Sequence, residues 1–331
     1  KPLGQRAALM LKPGGLSFWG GLMHFDKPPL SLTDQVALWR SRGLQVADGP
    51  RAERYLDSIG YYRLSAYCLP FEVPPAAGER RQHRFVPGTT FEQVLQLYIF
   101  DRKLRLLVIE AIERIEVAVR TRWAHAMSLR HGAHAHMDST CFKDPWQHAK
   151  DLAHLAKEVQ GSKETFIAHY RETYTVPFLP PIWAVVETMS LGALSHWVKN
   201  TRDNTAKRSV AEGLDLPTVE VMEGVLHVLT PIRNACAHHS RLWNRRLPMK
   251  LPHIKRHARN LVPPDSPHHQ AHHLYNPLAL LAVMLKTMNP GTTWAVRLVH
   301  LLDTELPPDR LSAMGFPQDW RTRPVWQKDP T

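Results

Sequence analysis

The strongest periodic signal in the chain lies between Phe91 and His131. Leu97, Leu104, Leu107, Val108, Ala111, Ile112, Ile115 and Val119 recur at intervals of three and four, which gathers them on one side of an α-helix. The opposite side carries Asp101, Arg105, Glu113, Glu116 and Arg120, and the Glu116–Arg120 spacing reads as an i,i+4 ion pair on a solvated face. Thr89 or Thr90 supplies an N-cap, and Gly132 marks the stop. At 1.5 Å per residue such a helix is about 60 Å long, so it is expected to be the spine of a bundle unless it bends.

Shorter helices are predicted on either side. Residues 30–44 carry Val36, Leu38 and Trp39 on one side, with Ser31 or Thr33 as cap and Gly43 as terminator. Gly49–Ile59 follows, and Gly60 separates it from YYRLSAY, which suits either a helix or a short extended piece. Downstream, helices are expected over 147–159, 162–170, 182–199, 204–213, a segment opened by Pro217, 278–288 and 293–306. Residues 74–85, 133–146 and 248–275 read as loops. No strand alternation and no repeat period stand out, so the fold class is all-α.

Composition narrows the setting. Apolar residues make up 44% of 331, enough for a packed core, and a net charge of +12 favours polyanionic partners, nucleic acid first among them. Three scattered cysteines (Cys68, Cys141, Cys236) form no metal or disulfide framework and read as buried thiols of a reducing compartment. No apolar run reaches the roughly 18 residues that span a bilayer, so a soluble, cytoplasmic protein without membrane attachment is expected. The chain opens with Lys1, and residues 1–25 are expected to be a poorly ordered or artefactual extension. Clustered histidines (His268, His269, His272, His273) could take up zinc adventitiously, but no structural-zinc spacing is present and neither metal nor cofactor is expected.

Candidate chemistry concentrates in VEVMEGVLHVLTPIRNACAHHSRLW, residues 219–243. On a helical wheel Met222, Val225, Leu229, Ile232, Cys236 and Trp243 share one side, with His239 at its edge. Asn234, His238, Arg241 and Arg245 share another, with Arg233 beside them. Pro231 is expected to kink the helix or restart it with Thr230 as cap. An imidazole, guanidiniums and an amide on one stripe suit RNA cleavage by internal 2′-OH attack. His238 can carry the proton, Arg233 can hold the phosphate, and Asn234 can orient either. The same stripe is also what a solvated basic face or a phosphate-binding surface contains. Arg120 with His125 repeats the Arg-to-His spacing and could form a second site. Tyr61, Tyr62 and Arg63 could stack bases, although aromatics flanked by Leu and Ile are more often core. Lys250, Lys255 and Arg256, in the basic run KLPHIKRHAR, join Arg241, Arg245 and Arg120 as candidate RNA contacts.

The run RNACAHHSRLWNR (residues 233–245) resembles the signature of the Abi-like proteins of bacterial abortive phage infection, of the AbiD/AbiF type. YLDSIGYYRLSAYCLPF, FVPGTTFEQVLQLYIFDRKLRLLVIEAIERIEVAVRTRW, WAVVETMSLGALS and MGFPQDW extend the similarity in order, from about residue 26 to 326. That family is placed with the HEPN domains, helical bundles whose Arg-x4–6-His motif commonly forms a metal-independent RNase site at a dimer interface. The resemblance implies a HEPN-like bundle over 85–306, a smaller N-terminal helical lobe over 26–84 and a Pro/Trp-rich tail over 307–331. It implies Arg233 and His238 as the motif pair with Asn234 after the arginine, a homodimer, RNA as substrate, and a toxin-like endoribonuclease of phage defence. A structured partner RNA is also conceivable on this resemblance. A non-catalytic RNA-binding protein and a regulatory scaffold acting through protein contacts remain the alternatives.

Overall fold

The computed structural model describes residues 28–266 and 270–327. The extension 1–25 and two of the clustered histidines, His268 and His269, lie outside the described residues. The helices, in order, are α1 (Leu32–Ser41), α2 (Gly49–Ile59), α3 (Tyr61–Cys68), α4 (Phe91–His131), α5 (Pro145–Gly161) and α6 (Thr165–Thr173). They continue with α7 (Ile182–Val185), α8 (Leu191–Asn200), α9 (Asn204–Gly213), α10 (Val219–Ala237), α11 (Tyr275–Met288) and α12 (Trp294–Glu305). Among the described residues no β-sheet forms, only isolated bridges such as Gln45 with Thr90. The fold is all-α.

Helix α4 runs unbroken for 41 residues. Thr90 and Gln93 close a capping box at its start, and Gly132 ends it. Helices α3, α7, α9, α10, α11 and α12 all pack on it, leaving one exposed stripe through Leu106, Glu113, Val117 and His125. That placement corrects the solvated-face reading of its polar side. Asp101, Arg105 and Glu116 are all buried. The Glu116–Arg120 ion pair does form, but inside the bundle. One continuous apolar core runs from Val36 through α4 to Trp320. The C-terminal segment belongs to that core. Met314, Phe316 and Trp320 are buried in it, and the Trp326 indole donates to the Tyr275 hydroxyl at 3.3 Å.

Two helices depart from expectation. The single helix predicted over 182–199 is broken, because α7 passes through a 3-10 turn to extended Met189 before Ser190 starts α8 with a new side-chain cap. Pro231 does not restart its helix, since α10 continues through it. The Thr230 hydroxyl, instead of capping a new helix, donates to the Leu226 carbonyl at 2.9 Å.

Asp101 organises the region around the end of α10. Its side chain has no exposure. It accepts from the Tyr67 hydroxyl at 2.6 Å, from the Leu242 amide at 3.1 Å and from the Trp243 amide at 2.7 Å, and it pairs with Arg105. One carboxylate thus ties α3, α4 and the chain leaving α10. Burial pushes the Asp101 carboxyl above its usual range, while the Tyr67 hydroxyl and Arg105 oppose that shift.

Replacing Asp101→Ala strands Arg105 and two amides in the interior, and the expected loss is about 3–5 kcal/mol of unfolding free energy. Urea denaturation measures it, and a loss under about 1 kcal/mol would contradict this role. A second expectation concerns His136, fully buried with neither ring nitrogen meeting a protein partner. Burial, with His134 and His148 nearby, lowers its pKa to about 3. The folded state keeps the ring neutral, whereas the unfolded chain takes up a proton near the ordinary histidine value of 6.5. This contribution to stability is therefore whole above that value and is lost as pH falls toward 3. Between pH 7 and 5 the wild type should lose more stability than His136→Leu, with thermal melts across the range as the measure.

Candidate active site

Helix α10 runs antiparallel to α4, as the pairs Arg233–Glu116 and Trp243–Asp101 show. Its apolar side (Met222, Val225, Leu229, Ile232, Cys236) is buried as expected. The wheel extending to Arg245 is corrected, because the helix stops at Ala237. His238 is its C-cap, and its amide donates to the Asn234 carbonyl at 2.9 Å. His239 then takes φ 56°, a left-handed conformation in which a non-glycine residue is uncommon. The His239 amide reaches the Cys236 carbonyl at 3.1 Å and the Ser240 amide reaches the Ala235 carbonyl at 2.8 Å, the paired bonds of a Schellman stop. This termination also moves His239 from the expected apolar edge to an exposed position.

Asn234 and His238 keep the shared face that their four-residue spacing predicts, and both are exposed. Arg233 is turned the other way, toward α4. Its Nε lies 3.6 Å from a Glu116 carboxylate oxygen, and its side chain remains 33% exposed. Glu116 has only 7% side-chain exposure and also pairs with Arg120, so one buried carboxylate holds two guanidiniums. Burial raises the Glu116 pKa, while Arg120 and Arg233 act against that rise. Arg120 is committed further, donating to the Met189 carbonyl at 2.6 Å and lying 3.5 Å from Glu187. His125 is exposed five residues beyond it on α4, about 140° around the helix.

The segment after α10 is held rather than free. Arg241 donates to the Ala66 carbonyl of α3, and its half-buried guanidinium has its pKa lowered by burial. Arg63 donates to the His239 carbonyl at 2.5 Å, bracing the left-handed residue. Arg245 is exposed, 3.4 Å from the Arg241 carbonyl. Lys250, Lys255 and Arg256 are exposed too, Arg256 pairing with Asp215 at 2.8 Å. Their segment packs farther back. Pro252 lies against Gly224, 14 residues before His238, so about 21 Å of helix separates that contact from the imidazole.

His238 borders an open groove of about 390 Å³ whose other lining includes Gly60, Tyr62, Arg63 and Arg241. Gly60, at φ 88°, makes the turn between α2 and α3 that shapes one wall. The aromatic pair splits there. Tyr61 stacks on Trp39 at 5.1 Å and takes a hydrogen bond from Arg42, consistent with a core role. Tyr62 is 92% exposed, against the expectation of burial. Sequence reasoning therefore missed two elements of the site. Glu116 was placed on a solvated face, and nothing in an i,i+4 Glu–Arg pair distinguishes a wet face from an enclosed one. The groove wall from α3 had its only signal in the adjacency of Gly60 and two tyrosines.

Among the described residues no three His, Cys, Asp or Glu side chains converge to hold a metal ion. The three cysteines are free and buried, and burial raises the Cys68 and Cys236 thiols to about 12. No described helix is long and apolar enough to cross a membrane.

Comparison with known proteins gives one match. The model of the family described as Abi-like protein covers residues 54–244. That span opens within α2 and closes just after Trp243, so it contains the groove wall, all of α4 and the anchored end of α10. No curated protein and no solved structure matches the chain. With more than half of its length matched, the chain belongs to the Abi-like protein family.

Proposed function

We propose that this protein is a metal-independent endoribonuclease of HEPN type, a toxin-like effector of phage defence acting in the cytoplasm as a homodimer. The observation that carries the reading is the division of labour at the end of α10. His238 is exposed beside a groove, while Arg233 is oriented by a buried carboxylate and keeps a third of its surface open. A HEPN-like bundle is the architecture this reading assumes around α4 and α10. Family membership is consistent with it.

In the proposed reaction His238 takes the ribose 2′-OH proton, or returns a proton to the departing 5′-oxygen. The 2′-oxygen attacks the adjacent phosphorus, the bond to the 5′-oxygen breaks, and the products are a 2′,3′-cyclic phosphate and a 5′-OH. Arg233 offsets the charge that builds on the phosphoryl oxygens. Asn234, on the face of His238, positions the imidazole or the phosphate. Glu116 acts as a positioning residue through Arg233. Arg245 supplies exposed positive charge for the RNA backbone beside the site, and Lys250, Lys255 and Arg256, farther back along α10, would meet only the distant part of a longer RNA. Arg120 and Arg241 act through the architecture, since protein groups already hold their guanidiniums.

End-labelled RNA incubated with purified protein in EDTA tests this directly. Wild type should leave cyclic-phosphate ends, and His238→Ala should abolish cleavage with RNA affinity within about twofold of wild type. Equal cutting by the variant would remove His238 from the mechanism, and binding without cutting by wild type would favour a non-catalytic RNA-binding protein. Glu116→Gln should reduce the cleavage rate constant at saturating RNA by about tenfold or more while leaving Kd unweakened, because only the aim of Arg233 is loosened. A rise in Kd with an unchanged rate constant would instead make Arg233 a binding residue.

A further inference from the structure

The groove at His238 does not end with its own lining. Ile59, at the C-terminal end of α2, borders it on one side and on the other borders a second cleft of about 480 Å³ between α2 and α4. That second cleft is lined by Arg51, Arg54, Tyr55, Tyr98 and Arg102 among others. Arg51 is neutralised by a two-point pair with Glu92 at 3.0 and 3.1 Å. Arg54 and Arg102 are exposed, and among the described residues neither has an ion-pair partner. Sharing Ile59 as a wall, the two depressions offer a path from unpaired guanidiniums, past Ile59 and Tyr62, to the exposed imidazole.

Tyr62 is the feature on this path that core packing does not explain. A phenol ring with 92% of its surface in water costs apolar hydration, and its neighbours Tyr61 and Leu64 are satisfied in the interior without it. An exposed aromatic face beside a basic groove is the usual construction for stacking a nucleobase, with the guanidiniums following the backbone. The base it stacks must be out of a duplex. Paired RNA keeps its bases inside the A-form stack, where a ring on the rim of a groove cannot reach their faces.

We propose that this path is the binding track for an unpaired RNA strand, with Tyr62 stacking a base close to the cleaved linkage and Arg54 and Arg102 gripping phosphates farther along. The track deepens the ribonuclease proposal, and it rests on that reading for the identity of the ligand. It assigns substrate class: single-stranded or looped RNA, not duplex. It also divides recognition between α2, α3 and the start of α4, which would take the strand, and the end of α10, which would cut it. The basic run around Lys255 and Arg256, back along α10, stands outside the track.

The test is binding by the intact protein to a fluorescent RNA oligomer bearing 2′-O-methyl groups, so that it cannot be cut, alone or annealed to its complement. Fluorescence anisotropy should show the single strand bound more tightly than the duplex. Tyr62→Ala should weaken single-strand binding about tenfold, the order expected for loss of one base–aromatic stack, while Tyr62→Phe binds within about twofold of wild type. Arg54→Ala with Arg102→Ala should weaken binding and lower the slope of log affinity against log salt by about 1.4, the value for two phosphate contacts on a single strand. Tyr62, Arg54 and Arg102 are all exposed, so the fold should survive these changes, with circular dichroism as the check. The proposal is overturned if both sets bind the strand as wild type does, if Lys255→Ala with Arg256→Ala alone removes binding, if duplex is preferred, or if the intact protein binds no RNA. Track-dependent binding without cleavage of unmodified RNA would strike the ribonuclease reading and leave the track standing. Cleavage that is indifferent to Tyr62, Arg54 and Arg102 would do the reverse.

Discussion

A buried carboxylate can persist in a protein interior only where donors surround it, and Asp101 meets that demand by drawing four groups from three parts of the chain. Two of those donors are the backbone amides of Leu242 and Trp243, which would otherwise lose their hydrogen bonds as the chain leaves α10. The consequence is positional. The turn after α10 is bonded to the middle of the bundle, and Arg241 and Arg63 add ties from the same turn to α3 and from α3 to it. An exposed imidazole at a helix terminus would ordinarily fray with its last turn. Here the residues on its C-terminal side are locked, so His238 is presented from a fixed base.

Glu116 repeats the device at a second height on α4. It stands 15 residues beyond Asp101, about 22 Å along one unbroken helix, and there it holds Arg233. The two acids therefore grip α10 near its last turns and just past its end. A single rigid helix sets the spacing between the guanidinium and the anchored turn. Breaking α4 would release both, which is a reason for the proposed active site to depend on a 41-residue helix that supplies none of the reacting groups. The difference in aim also follows. Arg233 is drawn inward by charge, while Asn234 and His238, with no such partner beneath them, stay outward.

Much of this fold was legible in the chain. A threonine cap at 89 or 90 and the glycine at 132 gave α4 the bounds observed, and the predicted bounds of the helices at 49–59 and 204–213 agree with those observed. Periodicity found those elements because burial on one side leaves a pattern. It did not find the burial of Asp101, Arg105 and Glu116, because a helix enclosed by neighbours on several sides can hide ion pairs that look solvated in a linear reading. The stop at Ala237 was hidden for a different reason. The left-handed position of the Schellman turn is filled by His239, where glycine would have announced it. The paired Arg233 and His238 were legible as a motif, yet the carboxylate that orients one and the groove that borders the other arise only from tertiary packing.

The choice of histidine at that left-handed position invites a physical argument. Glycine would adopt the conformation without steric cost, whereas a residue with a Cβ pays about 1 kcal/mol or more. The strain is held in place by the Ser240 amide on one side and the Arg63 guanidinium on the other. A residue that only had to turn the chain would gain from becoming glycine. What histidine adds is a second imidazole lining the same groove as the first, and a stiffer turn beneath it. Strain of this kind is retained where the surrounding structure over-determines a conformation, and functional sites are where such positions collect. His83 and Asp215 take the same left-handed conformation elsewhere, but only His239 is braced by an arginine of the groove wall, which supports the end of α10 as the proposed active site.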